Sequence, residues 1–159
     1  MAGMLRALQE LPCLAQLAIN NVDFDNEAPS YLYSLSPALR RLEFSDLAYG
    51  LYLFFDAVFL QETIDTMHIT RCNVDHVDWE NVSCTELILG EIDARYDIGQ
   101  ILDHFEIVHL HVHECPSFHD DLLYSLMGST PLSPHEDVSA RTLCLLSISR
   151  CNNFSMGAL

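Results

Sequence analysis

Positive charge is scarce in this sequence: seven Lys and Arg stand against 23 Asp and Glu, a net charge of −16 over 159 residues. Phosphate backbones and anionic membrane surfaces are bound by clustered cations, so no nucleic-acid partner and no membrane partner is expected. Long apolar runs are also missing. The longest, Leu51 to Leu60, is interrupted by Asp56 and falls short of the roughly 20 residues that span a bilayer. Near the start, Gln9, Glu10 and Gln16 break up what would have to be the apolar centre of a signal peptide. A soluble chain in the cytoplasm or nucleus is therefore expected. There is no Gly-rich phosphate loop, no nucleophile elbow and no Cys-x-x-Cys pair, which removes the commonest motifs of catalysis and cofactor binding. No enzyme and no cofactor are expected.

Apolar side chains are plentiful, at 50% of the chain, enough for the core of one domain spanning residues 1–159. Their spacing carries the information. From Ile107 to Phe118 they stand at relative positions one, four, six, nine and twelve, as Ile107, Leu110, Val112, Cys115 and Phe118. Leu143 to Phe154 repeats the phrase. Positions one, four, six and nine are apolar again at Leu14, Leu17, Ile19 and Val22; Leu39, Leu42, Phe44 and Leu47; Ile64, Met67, Ile69 and Cys72; and Cys84, Leu87, Leu89 and Ile92.

Four chosen positions are all apolar by chance at roughly one start in sixteen, so six matches alone decide nothing. Spacing and complement decide more. First positions at 14, 39, 64, 84, 107 and 143 are separated by 25, 25, 20, 23 and 36 residues. Positions two, three, five, seven and eight total thirty residues, of which only Ala15, Ala18, Ile88, Val108, Cys144 and Leu145 are apolar. Composition alone would give about fifteen.

Positions three to seven read as a strand, with four and six turned inward and three, five and seven outward. Parallel strands need crossovers of about a dozen residues, and every interval supplies one. The expectation is an α/β fold with six short parallel strands centred near residues 17, 42, 67, 87, 110 and 146. Between them, Met4–Leu8, Tyr31–Leu35, Leu51–Leu60, Asp97–Phe105 and Asp120–Met127 read as helical turns or helices, with an extended strand the rival for Leu51–Leu60. The connection through Val74, Val77 and Trp79 reads as extended or a single turn. Residues 129–139, with Pro131 and Pro134, read as a surface loop.

The phrase, L-x-x-L-x-L-x-x-[N/C]-x-x-L, and its recurrence resemble a leucine-rich-repeat solenoid. The irregular, Cys-bearing version is similar to the repeat region of fungal F-box proteins, with Leu146-Ser-Ile-Ser-Arg-Cys-Asn-Asn-Phe-Ser closest to it. The resemblance implies about six repeats, a curved sheet on a concave face, helices and loops on the convex side, and recruitment of another protein, often for ubiquitin transfer. An F-box would begin near a Leu-Pro, but Leu11-Pro12 runs directly into the first phrase. A fragment of a longer array or a free-standing recognition module is therefore expected.

The outward positions nominate the binding residues. They are Gln16, Ala18 and Asn20; Arg41, Glu43 and Ser45; Thr66, His68 and Thr70; Glu86, Ile88 and Gly90; His109, His111 and His113; and Leu145, Ser147 and Ser149. Ile88 and Leu145 flank the histidines as a small apolar anchor. His109, His111 and His113 follow one another on one face, about 6.7 Å apart, which admits a metal-binding or metal-dependent reading with Glu86 beside His109 or His68 as a further ligand. The same strip would make partner binding pH-dependent between about pH 5 and 7. A repeat fragment without function is the third reading. Of the six cysteines, Cys72, Cys115 and Cys151 occupy position nine and are expected to be reduced and buried, with Cys13 and Cys144 accessible.

Overall fold

The computed structural model describes residues 1–24, 32–60, 62–79, 82–104, 107–126 and 143–153. Its centre is a six-stranded, wholly parallel sheet of β1 (Gln16–Asn20), β3 (Arg41–Ser45), β5 (Ile64–Thr70), β6 (Cys84–Gly90), β7 (His109–His113) and β8 (Leu145–Ser149), ordered as in the sequence. A second sheet pairs β2 (Tyr33–Ser34) in parallel with β4 (Val58–Phe59). Among the described residues the helices are α1 (Ala2–Gln9), α2 (Leu51–Ala57), α3 (Gly99–His104) and α4 (Asp120–Leu126). The chain is therefore α/β, as the spacing predicts, and all six strand centres fall inside observed strands.

Period-two alternation explains the sheet. Leu42, Phe44, Met67, Ile69, Leu87, Leu89, Leu110 and Val112 occupy positions four and six and are buried, while their neighbours in the chain, Gly90 excepted, stay partly exposed. Register locks these residues into rows: Leu17, Leu42, Met67, Leu87, Leu110 and Leu146 stand opposite one another, as do Ile19, Phe44, Ile69, Leu89, Val112 and Ile148. A slip of one residue would turn both rows to solvent, so the burial of one face fixes the pairing.

The connecting segments close the core from the inner side of the sheet. α2 is apolar around most of its circumference, with Leu51, Leu53, Phe54, Phe55 and Ala57 buried. Phe44 from the sheet meets Phe54 and Phe55 edge-on at 5.0 and 5.5 Å between centroids, and Phe55 meets Trp79 at 5.4 Å. Phe24 packs so closely over Gly50, at the start of α2, that a Cβ there would lie 2.5 Å from its ring. Short polar side chains shape the remaining crossovers. The Asn73, Asp93 and Asp97 side chains accept hydrogen bonds from the backbone N–H groups of Asp75, Arg95 and Gly99, the last leading into α3. Asp120 and Asp121 place negative charge at the start of α4.

Several connections differ from the sequence reading. Tyr33 and Ser34 are extended rather than helical: Tyr33 is buried and pairs with Val58, so tertiary pairing overrides the helical spacing of Tyr31–Leu35. α2 stops at Ala57, because Val58 is β-branched and adopts φ −120°, ψ 134° to enter β4. Helix and strand thus share the segment for which each was a rival. α1 is a turn longer than Met4–Leu8 and anchors through Leu5. α3 and α4 lie inside Asp97–Phe105 and Asp120–Met127, whereas Val74 to Trp79 contains no helix. The loop predicted over 129–139 lies outside the described residues, as do Phe105, Met127 and Phe154.

All six cysteines are free. Cys72, Cys84 and Cys115 are buried and Cys13 and Cys144 exposed, while Cys151, expected to be buried, is only half-buried beside β8, the last strand in the sheet order among the described residues. Burial removes the thiolate from water and pushes the thiols of Cys72 and Cys115 up to about 11 and that of Cys84 up to about 12.

Two outcomes are expected. Thiol-specific labelling at neutral pH should modify Cys13 and Cys144 in the native state and Cys72, Cys84 and Cys115 only after denaturation; rapid native labelling of those three would contradict the packing. Chemical denaturation of Phe44→Ala should show a loss of about 3–5 kcal/mol, the range for deleting a buried aromatic ring.

Candidate functional site

The outer side of the six-stranded sheet holds every nominated residue in three straight rows. Position three gives Gln16, Arg41, Thr66, Glu86, His109 and Leu145; position five gives Ala18, Glu43, His68, Ile88, His111 and Ser147; position seven gives Asn20, Ser45, Thr70, Gly90, His113 and Ser149. The strands at both ends, β1 and β8, carry the exposed members, and those between carry half-buried ones. Gly90 alone is fully covered, with Thr70 over the place where a Cβ would stand.

Side chains in the middle of this face are joined rather than independent. Arg41 and Glu43 pair at 2.5 Å. Thr66 donates to Glu86 at 2.9 Å, and the other oxygen of the same carboxylate lies 3.2 Å from Nε2 of His111. His68 Nε2 and the Thr70 hydroxyl share a hydrogen bond of 2.9 Å. Burial holds the His68 imidazole below its ordinary value, with Glu43 pulling upward and Arg41 reinforcing the decrease, so this ring is neutral at pH 7. His113 joins the Ser149 hydroxyl through Nδ1 at 2.8 Å and approaches Glu114 through Nε2 at 3.4 Å. Ile88 stands between His68 and His111 in its row, and Leu145, 42% exposed, stands opposite His109.

Glu86 is opposite His109 in register, yet its carboxylate turns to His111. Register thus places Glu86 beside His109 as the sequence predicts, while its carboxylate reaches the next histidine along that strand. Among the described residues, no three His, Cys, Asp or Glu side chains converge as metal ligands. Two of the three imidazoles on this strand are drawn toward different neighbours, His111 to Glu86 and His113 to Ser149 and Glu114.

A feature that the sequence reading missed borders the face. At position eight of every phrase the backbone turns left-handed, with φ of 51° at Asn21, 58° at Asp46, 51° at Arg71, 52° at Glu91, 51° at Glu114 and 56° at Arg150. This turn ends each strand while keeping the ladder intact: the N–H of Asn21, Asp46, Arg71, Glu91 and Glu114 each donates to the last carbonyl of the next strand. The side chains then stack into ion pairs. Arg71 bridges Asp46 at 2.6 Å and Glu91 at 2.9 Å, and Arg150 pairs with Glu114 at 2.6 Å. The uniformly polar composition of position eight is the signal that the sequence offers for it.

The chain matches no protein-family model, no curated protein and no solved structure. No helix among the described residues is long and apolar enough to cross a membrane.

The ion pairs carry a sign. Hydrogen bonding to Arg71 holds the Asp46 carboxyl below its ordinary 3.8, and Arg150 holds Glu114 below 4.5. A depressed carboxyl contributes stability that is complete above its unfolded value and disappears as pH falls through its folded one. The deficit in melting temperature of an Arg71→Gln, Arg150→Gln double variant at pH 6 should therefore shrink below about pH 4. A deficit unchanged down to pH 2.5 would mean that these pairs do not couple to folding.

Proposed function

We propose that the chain is a leucine-rich-repeat solenoid whose outward face, taken as concave, binds another protein. The single observation that carries this reading is the alignment of positions three, five and seven into three rows across six parallel strands. Such a surface is extended, mostly polar and held by its own hydrogen bonds, so it meets a partner without having to be ordered first. Ile88 and Leu145 offer apolar anchors beside His111 and His109, and Arg41, Glu43, Thr66, His68, Thr70, Glu86, His113, Ser147 and Ser149 supply directional contacts around them. Stacked repeats of this kind use their sheet face for recognition. The resemblance to F-box repeat regions extends the reading to substrate recognition for ubiquitin transfer, in the cytoplasm or nucleus.

The test is site-specific photocrosslinking in cells from a benzoylphenylalanine placed at Ser147, compared with one at His76, outside the rows. A discrete adduct is expected from position 147 alone and should be lost when Ile88→Asp and Leu145→Asp are added, with the melting temperature unchanged. Adducts from both positions, or from neither, would count against the face.

The rival metal reading predicts differently. With thiols blocked, calorimetric titration of zinc should give the same small heats for the native chain and for His111→Ala, because His111 is engaged by Glu86. A saturable site that disappears in the variant would restore the metal reading.

A further inference from the structure

The side of the molecule opposite the rows carries a groove of about 420 Å³. Phe55, Val58 and Val82 form its buried floor, and Leu32 and Phe59, 61% and 51% exposed, stand at its edge. Phe55 ties it to the inner side of the sheet by its edge-on contact with Phe44. Among the described residues, the charged groups that line the groove are both carboxylates, Asp56 and Asp78. Asp56 lies in the last turn of α2, where terminal carbonyls add negative potential and where no basic residue is present. Partial burial, and then repulsion from Asp78, raise the Asp56 carboxyl above its ordinary value. An apolar floor beneath a concentration of negative charge is complementary to one kind of ligand, an apolar segment that brings its own cation.

We infer that this groove is a second docking site, for a partner segment in which arginine or lysine alternates with large apolar side chains. The apolar residues would cover the floor and Phe59, and the cation would sit over Asp56 and Asp78. A guanidinium suits the place best, since it forms paired hydrogen bonds with a carboxylate and lies flat against an aromatic edge. The site is independent of the three rows, so one protein could hold a partner on each side.

Trp79 is the only tryptophan and packs on Phe55, so its emission reports on the groove without added labels. The intact chain would be titrated with acetyl-Leu-Arg-Leu-Arg-Phe-amide and with versions carrying Gln or Glu in place of both Arg. The Arg peptide should change Trp79 emission saturably and bind about tenfold or more tightly than the Gln peptide, with the Glu peptide weakest. Asp56→Asn combined with Asp78→Asn should abolish that preference, Phe59→Ser should weaken all three peptides, and His111→Ala should change nothing. Circular dichroism and the melting temperature verify that each variant is folded. Absence of a saturable change, equal affinity for the three peptides, or a preference that survives the double Asn substitution would overturn the site. An effect of His111→Ala equal to that of Phe59→Ser would place the peptide on the other face and overturn it also.

Discussion

One register, carried unbroken through six parallel strands, is the constraint on which the other features depend. Parallel pairing with matched positions places residues of like rank side by side, so a choice made at one position is repeated along a row. Leu42, Met67, Leu87 and Leu110 become one buried stripe, and His68, Ile88 and His111 one outward row. The hydrophobic effect acts on the first and so fixes the geometry of the second. The outward side chains need no packing of their own to be positioned.

The left-handed residue at position eight keeps this arrangement in step. A non-glycine residue there costs roughly 1–2 kcal/mol of local strain, tolerated because the turned N–H completes the ladder to the neighbouring strand. Charges at the same place pair between repeats, Arg71 serving two acids and Arg150 one. They are exposed, so their effect lies more in favouring one alignment of repeats than in adding stability. Part of the chain's acidity is thus locally organised at these corners.

The strands and the outward rows were legible because period two is a strong signal when one face is buried and the other is not. Ile19 to Asn20, or Leu110 to His111, each shows the switch within two residues. The connections were less legible. Val58 and Phe59 differ little in hydrophobicity from Leu53 and Phe54, and only the partner Tyr33 tells strand from helix. The same limit applies to the site: sequence placed Glu86 on the face, but the choice between His109 and His111 depends on side-chain direction. The polar run at position eight was visible, whereas its backbone conformation was not, since Arg and Glu are not the residues by which left-handed turns are usually recognised.

The left-handed corners have a consequence for how this molecule tolerates sequence change. Asn21, Asp46, Arg71, Glu91, Glu114 and Arg150 are polar and lie at the margin of the sheet, so by exposure alone they belong with the freely variable residues. Their backbone angles exclude that freedom. Valine, isoleucine or threonine at any of them would strain the main chain whatever the new side chain touched, while glycine or asparagine would fit with ease. Permissible variation is therefore filtered twice, by burial along the inner rows and by chirality at the corners. The outward rows between them are left as the part of each repeat that can diverge without disturbing the fold.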